Sequence, residues 1–420
     1  MYLFLSAICI FLSVALLFKN GVNRLLLYMV GITFLPYGLE LTGKLIAPRL
    51  LTFAFLLSVL LRFKEFRSLK QLPAKWLMVI LFIAHLLTGL MDHRISMIQG
   101  LIKAITMFVE TFGGIILGYV SFIAINKKWN LQIRNRFVIL ALVVCIYSLF
   151  CVFINSDPYS SAIGDTDSMI DSRLRSASFF YNSHVAGMAM TGYFILLLYF
   201  KQKYKFNQFQ NLVLLLLFIA IFLTGSRSSL LCLIAGFLIL YYDIVKRSKY
   251  KFKILFGSLL MLCIGYGVIG HIVIAKFADA FQDDGGETGG SNIAMRLQQL
   301  SFSWELFWQS PWFGNGFNYF WEYIKAKDGY LSSMLLGAES YVFILLIERG
   351  LIQIIAIFIY FVSIIRYFSR AKTLESYLGL ALLTAFLVNS IVTGNLYKWI
   401  FVMPLIGYYL HYVQFQMKQK

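Results

Sequence analysis

The chain has 420 residues, of which 60% are hydrophobic and only 13% are charged, and its mean hydropathy is +0.76. A soluble protein carries roughly 25% charged residues, because most of its surface meets water. The composition therefore excludes a soluble globular fold and indicates a protein that crosses a membrane several times. The formal net charge of +18 would suggest nucleic-acid binding in a soluble chain. In a membrane protein the positions of the charges decide what that number means.

Continuous apolar runs predict the membrane-spanning helices, since a bilayer core takes about 20 apolar residues per helix. We predict an all-α, polytopic membrane protein whose single domain covers residues 1–420. Because one apolar segment, 49–61, is short, the sequence predicts either twelve or thirteen spans. The predicted helices lie at 1–18, 25–42, 49–61, 76–91, 105–125, 137–154, 184–200, 211–224, 228–242, 254–275, 340–365, 375–393 and 397–413.

The basic residues explain the net charge, because they gather in every second connection between the predicted helices. An excess of Lys and Arg marks the cytoplasmic loops of a membrane protein. The C-terminus is therefore predicted to be cytoplasmic, and the N-terminus lies outside with thirteen spans or inside with twelve. No nucleic-acid partner is needed to account for the charge. The basic clusters lie at 19–24, 62–75, 127–136, 201–205, 246–253, 366–372 and 418–420.

Two long connections, residues 155–183 and 276–339, hold most of the acidic residues and fall on the outer side by the same alternation. We expect short helices within the second. Long loops among short ones are where proteins commonly place binding and catalytic groups. Solvated connectors are the alternative, and loop length alone does not separate the two.

Three arginines lie apart from the cytoplasmic clusters, namely Arg175, Arg227 and Arg296. Arg227 lies within the sequence TGSRSS, with almost no loop between two apolar helices. A guanidinium group is always charged and binds phosphate through two parallel hydrogen bonds. An arginine at this depth can instead extend its side chain to lipid headgroups. The sequence leaves both interpretations open.

The second outer loop contains the sequence SPWFGNGF, in which Gly314 and Gly316 follow a proline. This pattern predicts a tight turn whose backbone lies close to another group. The aromatic residues around it suit sugar stacking, and they suit a membrane-interface belt equally well. The loop ends at Glu339, either a general base or an ordinary helix-start carboxylate. Farther along, Glu348 and Arg349 are expected to form a structural ion pair.

The chain shows none of the motifs that bind a metal or a nucleotide. Its five histidines lack metal-ligand spacing, and there is no P-loop. We therefore expect an activity that uses no cofactor and no bound metal.

Four local patterns together resemble the superfamily of O-antigen polymerases and ligases, the Wzy-like and WaaL-like proteins. They follow one another in the family's order, with the largest outer loop between the last two. The resemblance implies a metal-independent, inverting glycosyltransferase of the bacterial cytoplasmic membrane. Its active face would be extracytoplasmic, and its substrates would be glycans linked to undecaprenyl pyrophosphate. The patterns are FYNSHVAG at 180–187, TGSRSSL at 224–230, Arg296 with PWFGNG at 311–316, and Glu339-Ser340 ahead of LLIERGLI at 345–352.

One departure from the family favours a polymerase. The ligases usually begin the last pattern with His-Asn, whereas this chain has Glu339 and Ser340. We therefore favour an enzyme that joins oligosaccharide repeat units of O-antigen, capsule or exopolysaccharide. A ligase of the same superfamily is the first alternative. A flippase for lipid-linked oligosaccharides is an alternative of another class, although flippases tend to carry internal repeats and polar residues at the midplane.

The resemblance also implies roles for particular residues. Arg227 and Arg296 would stabilise the pyrophosphate leaving group, and Glu339 would accept the acceptor's proton. The expected partners are the lipid-linked donor and acceptor glycans, the lipid bilayer and a chain-length regulator. The residues expected to bind substrate are Arg175, Asn182, His184, Gly314 and Gly316.

Overall fold

A computed structural model describes residues 2–35, 39–42, 45–122, 127–159, 169–170, 173–174, 177–180, 183–253, 256, 293–320, 340–393 and 399–419. Helices α1 to α7 are Tyr2–Phe18, Gly21–Phe34, Ala47–Leu60, Phe63–Ser68, Lys75–Leu90, Met97–Ser121 and Lys127–Ile154. Helices α8 to α14 are Ser183–Lys203, Gln208–Leu223, Arg227–Arg247, Ile293–Gln309, Tyr341–Ala371, Leu374–Val392 and Trp399–Gln419. Two short antiparallel ribbons pair β1 (Glu40–Thr42) with β2 (Leu45–Ile46) and β3 (Met169–Ile170) with β4 (Arg173–Leu174).

Each apolar segment predicted within the described residues contains a helix, which confirms the prediction of an all-α polytopic membrane protein. The prediction of a helix at 25–42 was wrong in its second part, where the helix ends at Phe34 and Glu40–Thr42 form strand β1. Pro36 explains the early end, because the residue before a proline disfavours the helical conformation. The segment at 254–275 lies outside those residues. Among the described helices, six are long and apolar enough to cross a membrane, namely α6, α7, α8, α10, α12 and α13. Residues 65–71 and 75–90 meet at a bend of 102° and give a seventh candidate if they count as one span. Helices α1, α2, α3 and α9 are shorter but apolar.

Some helices extend well beyond the apolar runs that predicted them. Helix α6 begins at Met97 rather than at 105, because Ser96 and Gln99 form a capping box in which each side chain bonds the other's backbone N–H. Helix α7 begins at Lys127 rather than at 137. The second outer loop was expected to contain short helices, yet α11 within it has 17 residues. The apolar run thus marks the membrane core rather than the full helix.

The seven basic clusters meet at one end of the bundle, as the alternation of loop charges predicts. Each cluster contributes at least one contact that joins it to another part of this end. We call the opposite end, where α8 and α10 begin, the outer end. The contacts are Arg62 with Phe18, Arg24 with Glu65, Arg136 with Asn23, Arg134 with Tyr204, Lys203 with Glu375 and Tyr412, Arg247 with Lys372, and Lys418 with Gln71.

Near the outer end, helix α12 is interrupted at Gly350, where φ is 67° and ψ is 175°. A helix break leaves carbonyls before it and N–H groups after it without helical partners. The turn at residues 310–317 supplies both kinds of partner through its own backbone. It is therefore a structural part of α12 rather than a free loop. The bonds are Asn315 N to Ile347 O (3.2 Å), Gly316 N to Glu348 O (3.3 Å), Leu351 N to Pro311 O (2.8 Å) and Ile352 N to Trp312 O (3.3 Å).

Candidate functional site

The turn between α9 and α10 carries a hydroxyl cluster that contacts the start of α8. Ser226 is the N-cap of α10, and its hydroxyl accepts a hydrogen bond from the Ser229 backbone N–H at 3.4 Å. The Ser226 Oγ also lies 2.8 Å from Nδ1 of His184 and 2.8 Å from Oγ of Ser228. Two of the four patterns of the resemblance, at 180–187 and 224–230, therefore meet in space.

Arg227 is the first residue of α10 and is half-buried at the outer end. The start of a helix presents backbone N–H groups that have no helical partner, together with partial positive charge. Here that helix has 21 residues, and an arginine and a histidine stand at its start. Such an arrangement suits an anionic group such as phosphate. It places positive charge and hydrogen-bond donors together.

Gly314 and Gly316 both have positive φ, 76° and 97°, as the sequence pattern predicts for a tight turn. The group that the turn approaches is the backbone of α12. A Cβ on Gly314 would lie 2.2 Å from the carbonyl oxygen of Glu348. A Cβ on Gly316 would lie 2.3 Å from Oδ2 of Asp92. Packing thus accounts for both glycines, and their expected role in substrate binding stays a prediction.

The remaining predicted site residues fall in two groups. Arg296 lies in the first turns of α11, is half-buried, and belongs to a helix that packs on α12. Helix α10 packs chiefly on α13 and α8, so Arg227 and Arg296 lie on helices with different neighbours. Arg175, Asn182 and Glu339 lie outside the described residues, and their roles stay predictions.

Ser340, which follows Glu339, fixes the start of α12 at the outer end. Its hydroxyl accepts from the Val342 backbone N–H at 3.2 Å, as an N-cap does. The next residue, Tyr341, donates its backbone N–H to the carbonyl of Thr393 at 3.2 Å. The start of α12 is therefore held against the outer end of α13.

An ion pair that was not predicted from the sequence lies in the short connection between α5 and α6. Arg94 donates from Nε and Nη2 to the two oxygens of Asp92 at 2.8 and 2.7 Å, and from Nη2 to the carbonyl of Phe317 at 3.2 Å. Its guanidinium also lies 4.8 Å from the ring centre of Tyr319. The connection thus contacts the 310–317 turn at Gly316 and Phe317, in addition to the contacts that the turn makes with α12. The sequence signal that could have predicted this ion pair is the presence of an acidic and a basic residue close together in one short connection.

A second missed ion pair joins Arg49 at the start of α3 to Glu110 within the membrane span α6. Ionisable residues inside a span are costly, and they usually pair with one another or face a cavity. Glu110 is the single acidic residue of α6, so it was visible in the sequence as an isolated acid. Among the residues that the structure describes, no three His, Cys, Asp or Glu side chains are grouped so as to hold a metal ion.

Comparison with known families supports the resemblance. Residues 212–358 match a family model described as O-antigen ligase. The matched segment covers about a third of the chain and includes Arg227, Arg296, the 310–317 turn and Glu339. This finding is consistent with the superfamily of Wzy-like and WaaL-like proteins and supports a glycosyltransferase-type activity. A search of curated proteins found no match.

Proposed function

We propose that the protein is a polysaccharide polymerase that joins oligosaccharide repeat units linked to undecaprenyl pyrophosphate. It acts on the outer face of the bacterial cytoplasmic membrane, with its C-terminus in the cytoplasm. Its product is an O-antigen, a capsule or an exopolysaccharide, and a chain-length regulator is its expected protein partner. The observation that carries the proposal is the start of α10, where Arg227, His184 and a capped helix N-terminus lie together.

The chemistry requires this kind of site because the leaving group is an anion. The acceptor's sugar hydroxyl attacks the anomeric carbon of the donor glycan. The bond between that carbon and the phosphate oxygen breaks, and its electron pair goes to the lipid pyrophosphate. Negative charge therefore grows on the pyrophosphate, and a positioned guanidinium stabilises it more in the transition state than in the ground state. Glu339 accepts the hydroxyl proton, and direct displacement inverts the configuration at the anomeric carbon.

A polymerase is favoured over a ligase by the residues that open the last pattern. A ligase-type histidine would stand at position 339 or next to it, and this chain has Glu339 and Ser340 there. The family model that matches is described by the ligase activity, so the ligase is the second candidate. Both activities use the same donor chemistry and differ in the acceptor.

Replacing Glu339 with Gln is expected to stop polymer formation, because an amide cannot accept the acceptor's proton at neutral pH. Glu339→Asp should keep part of the activity, since it keeps the carboxylate on a shorter side chain. Polymer length in membranes from a complemented deletion strain measures both variants. Normal polymer from Glu339→Gln, at equal protein level, would remove the base role from this residue.

Replacing His184 with Ala is expected to slow polymerisation by about 10-fold, equivalent to the loss of roughly 1.4 kcal/mol from one hydrogen bond. The reason is that His184 holds the Ser226 hydroxyl at 2.8 Å and so orients the start of α10. His93→Ala is the matched control, because His93 is exposed in the connection between α5 and α6. Equal rates for the two variants would show that the contact with Ser226 has no part in activity.

Deletion of the gene separates the candidate functions. A strain without the polymerase should carry single repeat units on its final acceptor. Loss of a ligase would instead leave long polymer on the lipid carrier. Loss of a flippase would leave single units on the cytoplasmic side of the membrane. Either of the last two results would contradict the proposed function.

A further inference from the structure

Arg349 of helix α12 is the most unusual charged side chain in the described structure. Its side chain is 0% exposed, and it lies one residue before the break at Gly350. Its Nε, Nη1 and Nη2 atoms make no hydrogen bond with the residues that the structure describes. The ion pair expected with Glu348 is present but long, with Nε 4.0 Å from Oε2, so it offsets charge without a hydrogen bond. The guanidinium also stacks 4.1 Å from the ring centre of Phe317.

Acceptors near Arg349 are already bonded to other groups. Oε1 of Glu348 accepts from the backbone N–H of Phe320 at 3.2 Å. Gln353 lies one turn beyond the break, and its Oε1 accepts from the hydroxyl of Thr88 at 3.0 Å. The carboxylate of Glu110, within electrostatic range, is paired with Arg49. The guanidinium therefore has donors with no acceptor of its own among the described residues.

A second buried arginine shows which hydrogen bonds and ion pairs a structural guanidinium makes in this fold. Arg24 is also 0% exposed, and it stacks 4.7 Å from the ring centre of Phe55. In contrast to Arg349, its Nη1 donates to Ser58 Oγ at 2.8 Å and its Nη2 pairs with Glu65. A guanidinium stays charged, and burying it without hydrogen bonds is costly. Arg349 carries this cost with one long ion pair and no hydrogen bond among the described residues, and local rules broken in this way are characteristic of functional sites.

We propose that Arg349 is a ligand of a second lipid pyrophosphate, separate from the one at the start of α10. This inference rests on the proposed function, in which the donor and the acceptor each carry a pyrophosphate. Polymerisation therefore brings two such anions to one enzyme, and one anion site does not serve both. A guanidinium with its donors uncommitted is the side chain best suited to bind phosphate oxygens. Phe317 covers one face of the group, which leaves the edge that carries the N–H donors to contact the anion.

The test measures how many equivalents of geranylgeranyl pyrophosphate the purified full-length protein binds in detergent. Wild type should bind two equivalents, and Arg349→Met and Arg227→Met should each bind one. Arg349→Lys should keep the second equivalent with at least 10-fold weaker affinity, since lysine keeps the charge but loses the planar donor pair. Two equivalents in Arg349→Met would overturn the inference and leave the proposed function intact. Two equivalents in Arg227→Met would count against the proposed function instead.

Thermal unfolding of the same proteins separates a binding role from a structural one. Arg349→Met should lower the unfolding temperature less than Arg24→Met does, because it removes one long ion pair and no hydrogen bond. Arg24→Met is the matched variant and should unfold at a lower temperature, because it removes the hydrogen bond to Ser58 and the ion pair with Glu65. A drop in Arg349→Met as large as that in Arg24→Met would overturn the inference. So would displacement of the second equivalent by phosphatidylglycerol, since the site would then bind ordinary phospholipid.

Discussion

Replacing Arg227 with Lys is expected to abolish detectable polymer, with transfer slowed by about 10²–10³-fold, while the protein stays in the membrane at its normal level. Lysine keeps the positive charge but offers a single ammonium, and it cannot place two parallel N–H groups on a phosphate. The start of α10 stays capped by Ser226, so the helix itself is unaffected. The measurement is the length distribution of polymer in a complemented deletion strain, together with immunoblotting of the membrane fraction.

The matched control for this prediction is Arg136→Lys. Arg136 is exposed at the opposite end of the bundle, where it donates to the side chain of Asn23. Polymer length should be unchanged in that variant. Arg296→Lys is expected to behave as Arg227→Lys does, by the same chemistry. Normal polymer in both Arg227→Lys and Arg296→Lys would mean that neither guanidinium acts on the leaving group.

Replacing Gly314 with Ala is expected to remove most of the folded protein. The backbone at Gly314 has φ 76°, which costs an alanine about 1–3 kcal/mol. The added Cβ would also lie 2.2 Å from the Glu348 carbonyl oxygen, so the turn must leave the break in α12. Four backbone hydrogen bonds join the turn to that break, and their loss leaves the backbone groups of the break without partners. Thermal unfolding in detergent and the yield of monodisperse protein measure the effect.

Gly113→Ala serves as the control for the glycine prediction. Gly113 lies within helix α6, and the nearest atom to an added Cβ is Cγ1 of Val109 at 3.4 Å. Alanine in a helix interior is favoured over glycine by about 1 kcal/mol, so this variant should be at least as stable as wild type. Equal stability of Gly314→Ala and Gly113→Ala would show that the turn does not hold α12 together.

The fold could be predicted from the sequence because each membrane helix carries its own signal, a continuous apolar run. The ends of the helices could not, since the Ser96–Gln99 capping box and the basic start of α7 lie outside those runs. The gathering of basic loops at one end was predictable, because the charge alternates with the helices along the chain.

The candidate site was only partly predictable. Arg227 stood out because it interrupts two apolar runs, and the structure places it at the start of α10. Its neighbour His184 lies 42 residues before Ser226, and only the packing of α8 against α10 brings the two together. Likewise, the sequence indicated a turn at Gly314 and an ion pair at Arg349. It did not indicate that the turn and Arg349 both lie at the helix break of α12 at Gly350. Contacts between separate helices leave no local pattern in the sequence.

The proposed function requires that this protein joins lipid-linked repeat units to one another. The most direct measurement places the purified full-length protein in liposomes together with an undecaprenyl-pyrophosphate-linked repeat unit of its own bacterium. We expect a ladder of products longer than one repeat unit. We also expect that EDTA leaves the ladder intact, that no nucleotide sugar is needed, and that Arg227→Lys removes the ladder. The proposed function would be contradicted if the folded protein left the repeat units single. It would also be contradicted if the protein moved them only to a different lipid acceptor.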